Sequence, residues 1–342
     1  MNVNFTKHLK LGFAALFVLA GSSFALPDEQ IAFMSNRDGG WTIYTMDTEG
    51  GNPVRLTPGG ANDGAPVWSP DGSRMVFVSD RDGNNEIYVM DADGGNPVRL
   101  TDNAGNDDVP SWSPDGTRIV FHSDREANRT PCCDIFAGND WNDTEIYVMN
   151  ADGSDPINLT NTDNDDRGIG VWDGWPSWSP HGDQILFSSD RDWVVGDELR
   201  AELYVMDPDG GEPYNLTQNN LHDRNATWSP DGSQIVFAAS TDFRANPDIW
   251  VMNAAGGDQI NLTNNPDSDD NWPSWSPDGS HIVFRSRRSG SSDIWVMQAD
   301  GSEARNLTQS DSVDLLPSWS AGIGGTTLIE ALSWGRIKAR SD

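Results

Sequence analysis

The chain has 342 residues and a formal net charge of −31 at pH 7, because 53 aspartates and glutamates outnumber 22 lysines and arginines. Such an excess of negative charge argues against binding to nucleic acids or to anionic lipid surfaces, whose phosphates require the opposite sign. The length is sufficient for two average domains or for one large repeat fold.

Residues 1–25 are predicted to form a secretory signal peptide. Lys7 and Lys10 precede an apolar run from Leu11 to Ala20, and the small residues of "SSFA" follow it. The run is too short to span a bilayer, and no other stretch approaches the ~20 apolar residues that a spanning helix needs. We therefore expect no membrane span, and a mature protein that begins at Leu26 and resides in the periplasm or outside the cell.

Residues 26–320 repeat one unit of four short segments. The copy between Trp68 and Thr101 reads "WSPDG", "MVFVSD", "EIYVMDADGG" and "NPVRLT". Its "PDG" supplies a preset φ, a turn former and a glycine that accepts a left-handed φ, which predicts a tight hairpin between the first two segments. The "DGG" has the same effect between the third and fourth segments. We therefore predict four strands per unit.

The second strand of each unit is a continuous apolar triplet. An alternating pattern would indicate one solvent-exposed face, whereas a continuous run indicates a strand that is buried on both faces. Sheets stacked face to face around an axis meet this requirement, and a two-sheet sandwich does not. The triplets, which together predict an all-β, six-bladed β-propeller, are Ile31-Ala32-Phe33, Met75-Val76-Phe77, Ile119-Val120-Phe121, Ile185-Leu186-Phe187, Ile235-Val236-Phe237 and Ile282-Val283-Phe284.

The two ends of the chain are expected to share one blade. The first unit begins at Ile31 with no "WSPDG" before it, and the last stops at Trp319 and Ser320 with no triplet after it. We predict that the segment from Pro317 to Ser320 pairs with the N-terminal repeat and closes the ring, which removes exposed sheet edges. A tryptophan ends each first strand and is expected to pack between blades, at Trp68, Trp112, Trp178, Trp228, Trp275 and Trp319.

The repeat is similar to the WD40-like repeat of the TolB-like β-propeller family. The similarity rests on "WSPDG", the apolar triplet, Ser-Asp-Arg as at Ser79-Asp80-Arg81, the "IYVMD" strand and the Leu-Thr ending, and it covers Pro27 to Ser320. It implies a six-bladed propeller of the bacterial envelope or exterior that serves mostly to dock other proteins. The α/β domain that precedes the propeller of TolB is not expected here, because the repeats follow the signal peptide directly.

An aspartate lies five residues before the tryptophan in all six units. Six first strands line the channel of a propeller, so these carboxylates are expected at one channel mouth. One interpretation is that each aspartate accepts hydrogen bonds that lock neighbouring blades. The other is that the ring, with Asp108, Asp269 and Asp311 nearby, binds a hard cation such as Ca²⁺ or a basic partner. The six aspartates are Asp63, Asp107, Asp173, Asp223, Asp270 and Asp314.

Insertions lengthen the third and fourth units, in the ranges 125–141, 161–175 and 191–199. Extra loop length on one sector of a symmetric scaffold often carries specificity. The aromatic residues in these loops are candidates for partner contact, although local packing explains them equally well. The contact candidates, together with one histidine beside the aspartate ring, are Trp141, Trp172, Trp175, Trp193 and His222.

Two further segments leave the repeat pattern. Cys132 and Cys133 are adjacent in the first insertion, where a disulfide between them would be strained, although an exported protein permits one. An intermolecular bridge, redox sensing and soft-metal binding are the alternatives. Residues 321–342 form a tail with Arg336, Lys338 and Arg340, which is expected to dock on the acidic body or to act as an export or attachment signal.

The sequence favours a non-catalytic function. We expect a monomeric, secreted or periplasmic scaffold that docks a protein partner over the aspartate-ringed mouth, with Ca²⁺ as the candidate ion and no other cofactor. One alternative is a polysaccharide lyase or hydrolase that uses His222 and Asp223 at the same mouth. The scattered histidines and the lack of a G-x-S-x-G motif give this alternative little support. Another alternative is a structural component of the cell surface.

Overall fold

A computed structural model describes residues 29–126, 144–161, 171–193 and 200–320. The chain folds into six antiparallel sheets of four strands each, arranged as the blades of a six-bladed β-propeller. This confirms the all-β fold predicted from the triplets. Within the described ranges, no helix is long and apolar enough to cross a membrane. The predicted signal peptide, the tail, Trp141, Cys132 and Cys133 lie outside the described residues.

The blades follow one another along the chain, and each runs from an inner to an outer strand. Blade 1 contains β24 (Asp314–Trp319), β1 (Gln30–Ser35), β2 (Thr42–Asp47) and β3 (Val54–Arg55), and blade 2 contains β4 (Asp63–Trp68), β5 (Arg74–Ser79), β6 (Glu86–Asp91) and β7 (Val98–Arg99). Blade 3 contains β8 (Asp107–Trp112), β9 (Arg118–Ser123), β10 (Glu145–Asn150) and β11 (Ile157–Asn158), and blade 4 contains β12 (Asp173–Trp178), β13 (Ile185–Ser189), β14 (Glu202–Met206) and β15 (Tyr214–Asn215). Blade 5 contains β16 (His222–Trp228), β17 (Gln234–Ser240), β18 (Asp248–Asn253) and β19 (Ile260–Asn261), and blade 6 contains β20 (Asp270–Trp275), β21 (His281–Ser286), β22 (Asp293–Gln298) and β23 (Arg305–Asn306).

The core lies between the blades and is built from the second strands. The phenylalanine of every triplet is fully buried, and the preceding residues of the triplets are buried with it. The tryptophan at the end of a first strand packs against the blade before it: Trp112 contacts the cluster that contains Val76 and Ile87. Its indole N–H donates to the carbonyl of Val67 at 3.3 Å. Five of the six repeated tryptophans are buried core residues, and Trp319 is half-buried.

The ring closes as the sequence predicts. Strand β24 pairs antiparallel with β1, with Trp319 opposite Ile31 and Asp314 opposite Ser35. The N–H of Ser320 donates to the carbonyl of Gln30 at 2.8 Å. The ends of the chain thus form one sheet.

The propeller has two faces of different construction. First strands begin and second strands end at one of them, which we call the loop face. The opposite face, the turn face, carries the tight turns, such as the one in which the N–H of Gly72 donates to the carbonyl of Ser69 at 2.8 Å. Strands that flank the undescribed ranges 127–143, 162–170 and 194–199 end at the loop face.

Candidate functional site

The six aspartates singled out in the sequence begin the first strands, or lie one residue inside in blade 5, at the loop face. All six side chains are fully buried. A buried carboxylate without a partner is costly, so each one requires a hydrogen-bond donor or a counter-ion.

Five of the aspartates are paired with an arginine of their own blade. The arginine lies just beyond the end of the second strand, next to the first strand in the sheet. Its guanidinium and the carboxylate form a charge-assisted pair, which is the strong form of a hydrogen bond. The N···O distances are 2.9 Å for Arg81 and Asp63, 2.8 Å for Arg125 and Asp107, 3.0 Å for Arg191 and Asp173, 2.6 Å for Arg288 and Asp270, and 3.1 Å for Arg37 and Asp314.

Blade 2 shows how the Ser-Asp-Arg motif holds the guanidinium. The Nε of Arg81 donates to the Oγ of Ser79 at 2.8 Å. The guanidinium carbon lies 4.6 Å from the ring centre of Tyr88 and 5.5 Å from that of Phe77, within the range of cation–π attraction. Serine, aromatic pair and aspartate together form what we call the arginine cradle.

The cradles support the interpretation that the aspartates stabilise the blades. Their carboxylate oxygens face arginines of the same chain, and no carboxylate of the ring is exposed. Of the auxiliary acids, Asp108 accepts hydrogen bonds from Asn85 at 3.1 Å and Asp269 pairs with Arg285 at 2.5 Å. In the described part of the chain, no three or more His, Cys, Asp or Glu residues are grouped to hold a metal ion. Binding of Ca²⁺ or of a partner by this ring stays a prediction.

Blade 5 departs from the other five. Asp223 has no arginine within ion-pair distance among the described residues, and burial, with a further contribution from Glu202, raises its pKa to about 8. The neighbouring His222 is also buried, and its Nδ1 accepts a hydrogen bond from the N–H of Ala201 at 2.9 Å. Burial lowers the pKa of His222 to about 3, so this imidazole is neutral at neutral pH.

The centre of the ring is lined by residues that the sequence did not single out as a set. Every first strand carries a bulge, as between Gly64 and Val67, where the register with the second strand shifts. The bulge residues have left-handed φ values between 47° and 54° and line a central cavity of about 170 Å³ together with the residues that follow them. These bulge residues, which we call the channel collar, are Ala65, Val109, Trp175, Asn225, Trp272 and Leu316.

The channel collar combines large side chains with a backbone conformation that suits glycine. A left-handed residue other than glycine costs roughly 1–2 kcal/mol, and a β-branched residue such as Val109 is a pronounced outlier. Such strained positions are concentrated at functional sites in proteins. Here the bulge directs two indoles, those of Trp175 and Trp272, toward the channel.

The aromatic contact candidates lie in different environments. Trp172 is buried, with its ring edge-on to that of Trp175 and the ring centres 4.8 Å apart. Trp193 is half-buried and follows β13 at the loop face. Of the candidates, only Trp175 belongs to the channel collar. Sequence reasoning missed Trp272 and Leu316, although both occupy the variable position three residues before the repeated tryptophan.

Three family profiles match parts of the chain, each covering less than half of it. The Tricorn protease N-terminal beta propeller domain matches residues 25–137, the TolB beta propeller domain residues 227–331, and the dipeptidyl peptidase IV N-terminal region residues 179–271. A sequence comparison with curated proteins gave no match. The matched ranges all fall on the repeated units, so the profiles agree on the repeat.

Solved structures give the same result over most of the chain. TolB from Acinetobacter baumannii has a TM-score of 0.67 at 23% identity, over 87% of this chain and 68% of that one. A putative TolB from Agrobacterium tumefaciens has a TM-score of 0.60 at 21% identity, over 82% and 88%. An oligogalacturonate lyase in complex with manganese has a TM-score of 0.55 at 16% identity, over 82% and 74%. The chain therefore has the fold of a TolB-like six-bladed β-propeller.

Proposed function

We propose that this TolB-like six-bladed β-propeller is an exported scaffold that binds a protein partner over the centre of its ring. The channel collar is the observation that carries the proposal. Six strained bulges bring five apolar or aromatic side chains and the amide of Asn225 to one cavity. Tryptophans in partly buried pockets are among the residues that contribute most to protein–protein binding.

The location of the partner follows from the predicted signal peptide. An exported propeller would meet its partner in the periplasm or outside the cell. The strands that flank the undescribed ranges of the insertions end at the loop face, where the buried aspartates also lie. In this proposal the insertions add specificity, and the channel collar supplies the apolar anchor. Calcium at the aspartate ring would strengthen docking without being its main determinant.

The enzymatic alternative has less support from the geometry. A general acid or base must lie within hydrogen-bond reach of the substrate. His222 is 3% exposed and Asp223 is fully buried, so a polymer would not reach either side chain in this conformation. The likeness to an oligogalacturonate lyase is at the level of fold. The scaffold is therefore the function that the geometry favours.

The proposal is tested by capture from an envelope extract. The mature protein is immobilised beside a Trp175→Gly/Trp272→Gly variant, which removes both indoles while relieving the left-handed strain at both positions. Ile260→Ser, at a residue 57% exposed on the outer strand of blade 5, is the matched control. We expect the native protein and the control to retain the same protein, identified by mass spectrometry, and the double variant to lose it. Equal retention by all three would contradict the proposal.

A further inference from the structure

Blade 5 lacks the serine of the arginine cradle and also the arginine that the cradle holds. Asp223 lies opposite Ala239 in the sheet, as Asp63 lies opposite Ser79 in blade 2. Alanine thus stands where the cradle has serine, and two residues further on Thr241 stands where it has arginine. Thr241 is exposed. The other five blades all supply the arginine themselves.

Blade 5 nevertheless retains the aspartate that accepts the guanidinium hydrogen bonds in the other blades. Asp223 is fully buried, and its Oδ2 accepts a hydrogen bond from the Nδ2 of Asn219 at 2.8 Å. Its Oδ1 has no hydrogen-bond partner among the described residues. In blade 3 the corresponding Asp107 accepts from Asn103 in the same way and also from Arg125, at 2.8 Å to each oxygen. Asp223 therefore keeps the hydrogen bond from asparagine and lacks the contact that Arg125 makes with Asp107 in blade 3.

A second carboxylate increases the negative charge at this position. Glu202 of blade 4 accepts hydrogen bonds from Thr217 at 2.6 Å and from the N–H of Asn219 at 3.2 Å. Glu86, its counterpart in blade 2, pairs with Arg99 at 2.7 Å. Within the described ranges, no basic group lies within ion-pair distance of Glu202. The seam between blades 4 and 5 therefore holds two carboxylates and, in that part of the chain, no ion pair with either of them.

The aromatic part of the cradle is also retained. Phe237 lies opposite Trp250 in blade 5, just as Phe284 lies opposite Trp295 in blade 6. In blade 6 the guanidinium carbon of Arg288 lies 4.9 Å from the Trp295 ring and 5.5 Å from the Phe284 ring. Blade 6 thus shows the geometry in which a guanidinium binds to this aromatic pair.

We infer that the loop-face end of blade 5 is a binding socket for a guanidinium side chain supplied from outside the chain, namely an arginine of the docked protein. Asp223, which is fully buried in the free chain, would become accessible as the arginine enters beside the exposed Thr241. It would then accept the N–H groups of the guanidinium, and Trp250 would attract the cation by cation–π interaction. The inference rests on the proposed scaffold function, because it assigns a chemical feature to the partner. An arginine on the partner would also complement the net negative charge of this protein.

An organic cation fits this socket better than a metal ion. Calcium requires six to eight oxygen ligands, whereas a guanidinium needs one carboxylate and an aromatic face. The described residues offer no group of three or more metal-binding side chains at this position. Ala239 and the aromatic pair add an apolar wall, which suits the weakly hydrated guanidinium.

The test uses a small probe in place of the unidentified partner. Binding of N-acetyl-arginine amide to the mature protein is measured by calorimetry at pH 9, where Asp223 is ionised. The citrulline analogue, which has nearly the same shape and no charge, is the ligand control. We expect the arginine probe to bind at least about tenfold more tightly than the citrulline probe. Equal affinity for the two probes, or no binding of the arginine probe, would overturn the inference.

Three variants locate the site. Asp223→Asn should reduce affinity for the arginine probe by about tenfold or more. Ala239→Ser/Thr241→Arg supplies the cradle from within the chain, so it should abolish binding and raise the melting temperature. Thr241→Ala is the control and should bind like the native protein. Unchanged affinity in Asp223→Asn, or a Ca²⁺ complex that depends on Asp223 and excludes the probe, would refute the guanidinium socket.

The outcome is separable from that of the scaffold proposal. If the probe binds but no protein is captured through the channel collar, the socket stands and the scaffold proposal fails. If a protein is captured through the collar and Asp223→Asn changes neither capture nor probe binding, the scaffold stands and the socket is refuted.

Discussion

A buried carboxylate is tolerated in these blades because an arginine of the same sheet lies against it. Asp63 is fully buried, while the side chain of Arg81 keeps 26% of its surface exposed. The arginine can therefore remain partly hydrated, which lowers the desolvation cost, while it pairs with the Oδ1 of the buried carboxylate. The arginine also covers Phe77 and Tyr88, so it contributes packing as well as charge.

Replacing the arginine of one cradle should destabilise the protein strongly. We expect Arg81→Met to lower the free energy of unfolding by about 3–5 kcal/mol, because Asp63 is left buried without its partner. Denaturant unfolding measures the change. Arg55→Met is the control: its pair with Asp38 is exposed, with 34% and 44% of the two side chains accessible, and should cost about 0–1 kcal/mol. Equal losses in the two variants would show that burial of Asp63 is not the cause.

Asp223 should make stability depend on pH in the direction opposite to that of a paired aspartate. Its pKa of about 8 in the folded protein lies above the ~3.9 of an unfolded aspartate. Between these values the folded state holds a proton that the unfolded state has released. The stabilising contribution is therefore complete below about pH 4 and is lost as the pH rises to about 8.

The corresponding measurement compares the native protein with Asp223→Asn from pH 5 to pH 9. The free energy of unfolding of the native protein, relative to the variant, should fall with rising pH by up to about 1.4 kcal/mol per unit. The difference between the two proteins removes the contributions of His122 and His222, whose pKa values burial lowers to about 3. A difference that does not vary with pH would mean that Asp223 keeps its charge.

At the residue scale, the sequence shows which aspartates repeat but not how they are satisfied. The Ser-Asp-Arg motif was visible, yet its arginine lies eighteen residues from the aspartate that it contacts. Only the register of the hairpin, with Asp63 opposite Ser79, brings the two together. That register depends on the bulge, which the sequence did not reveal.

At the scale of the strands and turns, the blades are joined by glycines of the turn face. The turn between the third and fourth strands places a glycine against a leucine carbonyl of the preceding blade, as Gly94 lies against Leu56. A Cβ atom on Gly94 would lie 2.5 Å from that carbonyl oxygen. The corresponding contact between Gly50 and Leu307 joins the first blade to the sixth. These glycines therefore set how closely the blades approach each other.

The turn glycines give a matched pair of variants. Gly94 has φ +86° and the close contact with Leu56, whereas Gly39 has φ +89° and no atom within 4 Å of the position that a Cβ would take. We expect Gly39→Ala to show only the left-handed strain of roughly 1–2 kcal/mol. Gly94→Ala should cost about 1–3 kcal/mol more, because the blades must move apart. Thermal unfolding that ranks the two variants equally would contradict the role of the inter-blade contact.

The strands were predictable and the bulges were not. Continuous triplets and "PDG" turns determine where strands begin and end, because burial on both faces and a left-handed glycine leave clear signals. The bulge residues are alanine, valine, tryptophan, asparagine and leucine, which share no sequence signal for a bulge. The channel collar therefore becomes visible only when the six first strands are placed around one axis in the structure.

At the scale of the whole molecule, the ring depends on one strand contributed by the far end of the chain. Strand β24 completes blade 1, and its pairing with β1 spans almost the entire described sequence. Closing the ring removes the two open blade surfaces that a linear array would expose. The sequence predicted this closure correctly, because the incomplete first and last units complement each other.

Removing β24 should open the ring. A chain that ends at Leu315 loses the pairing of Ser318 and Trp319 with β1, and we expect it to melt on the order of 10 °C lower or to unfold without cooperativity. A chain that ends at Ser320 retains the whole strand and is the control. Calorimetry of the two proteins gives the comparison. A truncation at Leu315 that melts like the control would show that the closure contributes little to stability.

Function is the level at which the sequence is least informative. Repeats predict a scaffold, because each unit is needed to bury its neighbour, and the predicted signal peptide indicates its compartment. The two proposed sites lie where the repeats differ: Trp175 and Trp272 in the channel collar, and Thr241 in blade 5. Such differences acquire meaning only once the symmetric positions are superimposed in the structure.

Docking over the centre of the ring is tested most directly by photo-crosslinking in the native envelope. A photoreactive amino acid is placed at Asn225, in the channel collar, or at Ile260, on the outer strand of the same blade. The account predicts a covalent adduct with one protein from position 225 and none from position 260. An adduct from position 260 alone, equal adducts from both, or none from either would contradict it.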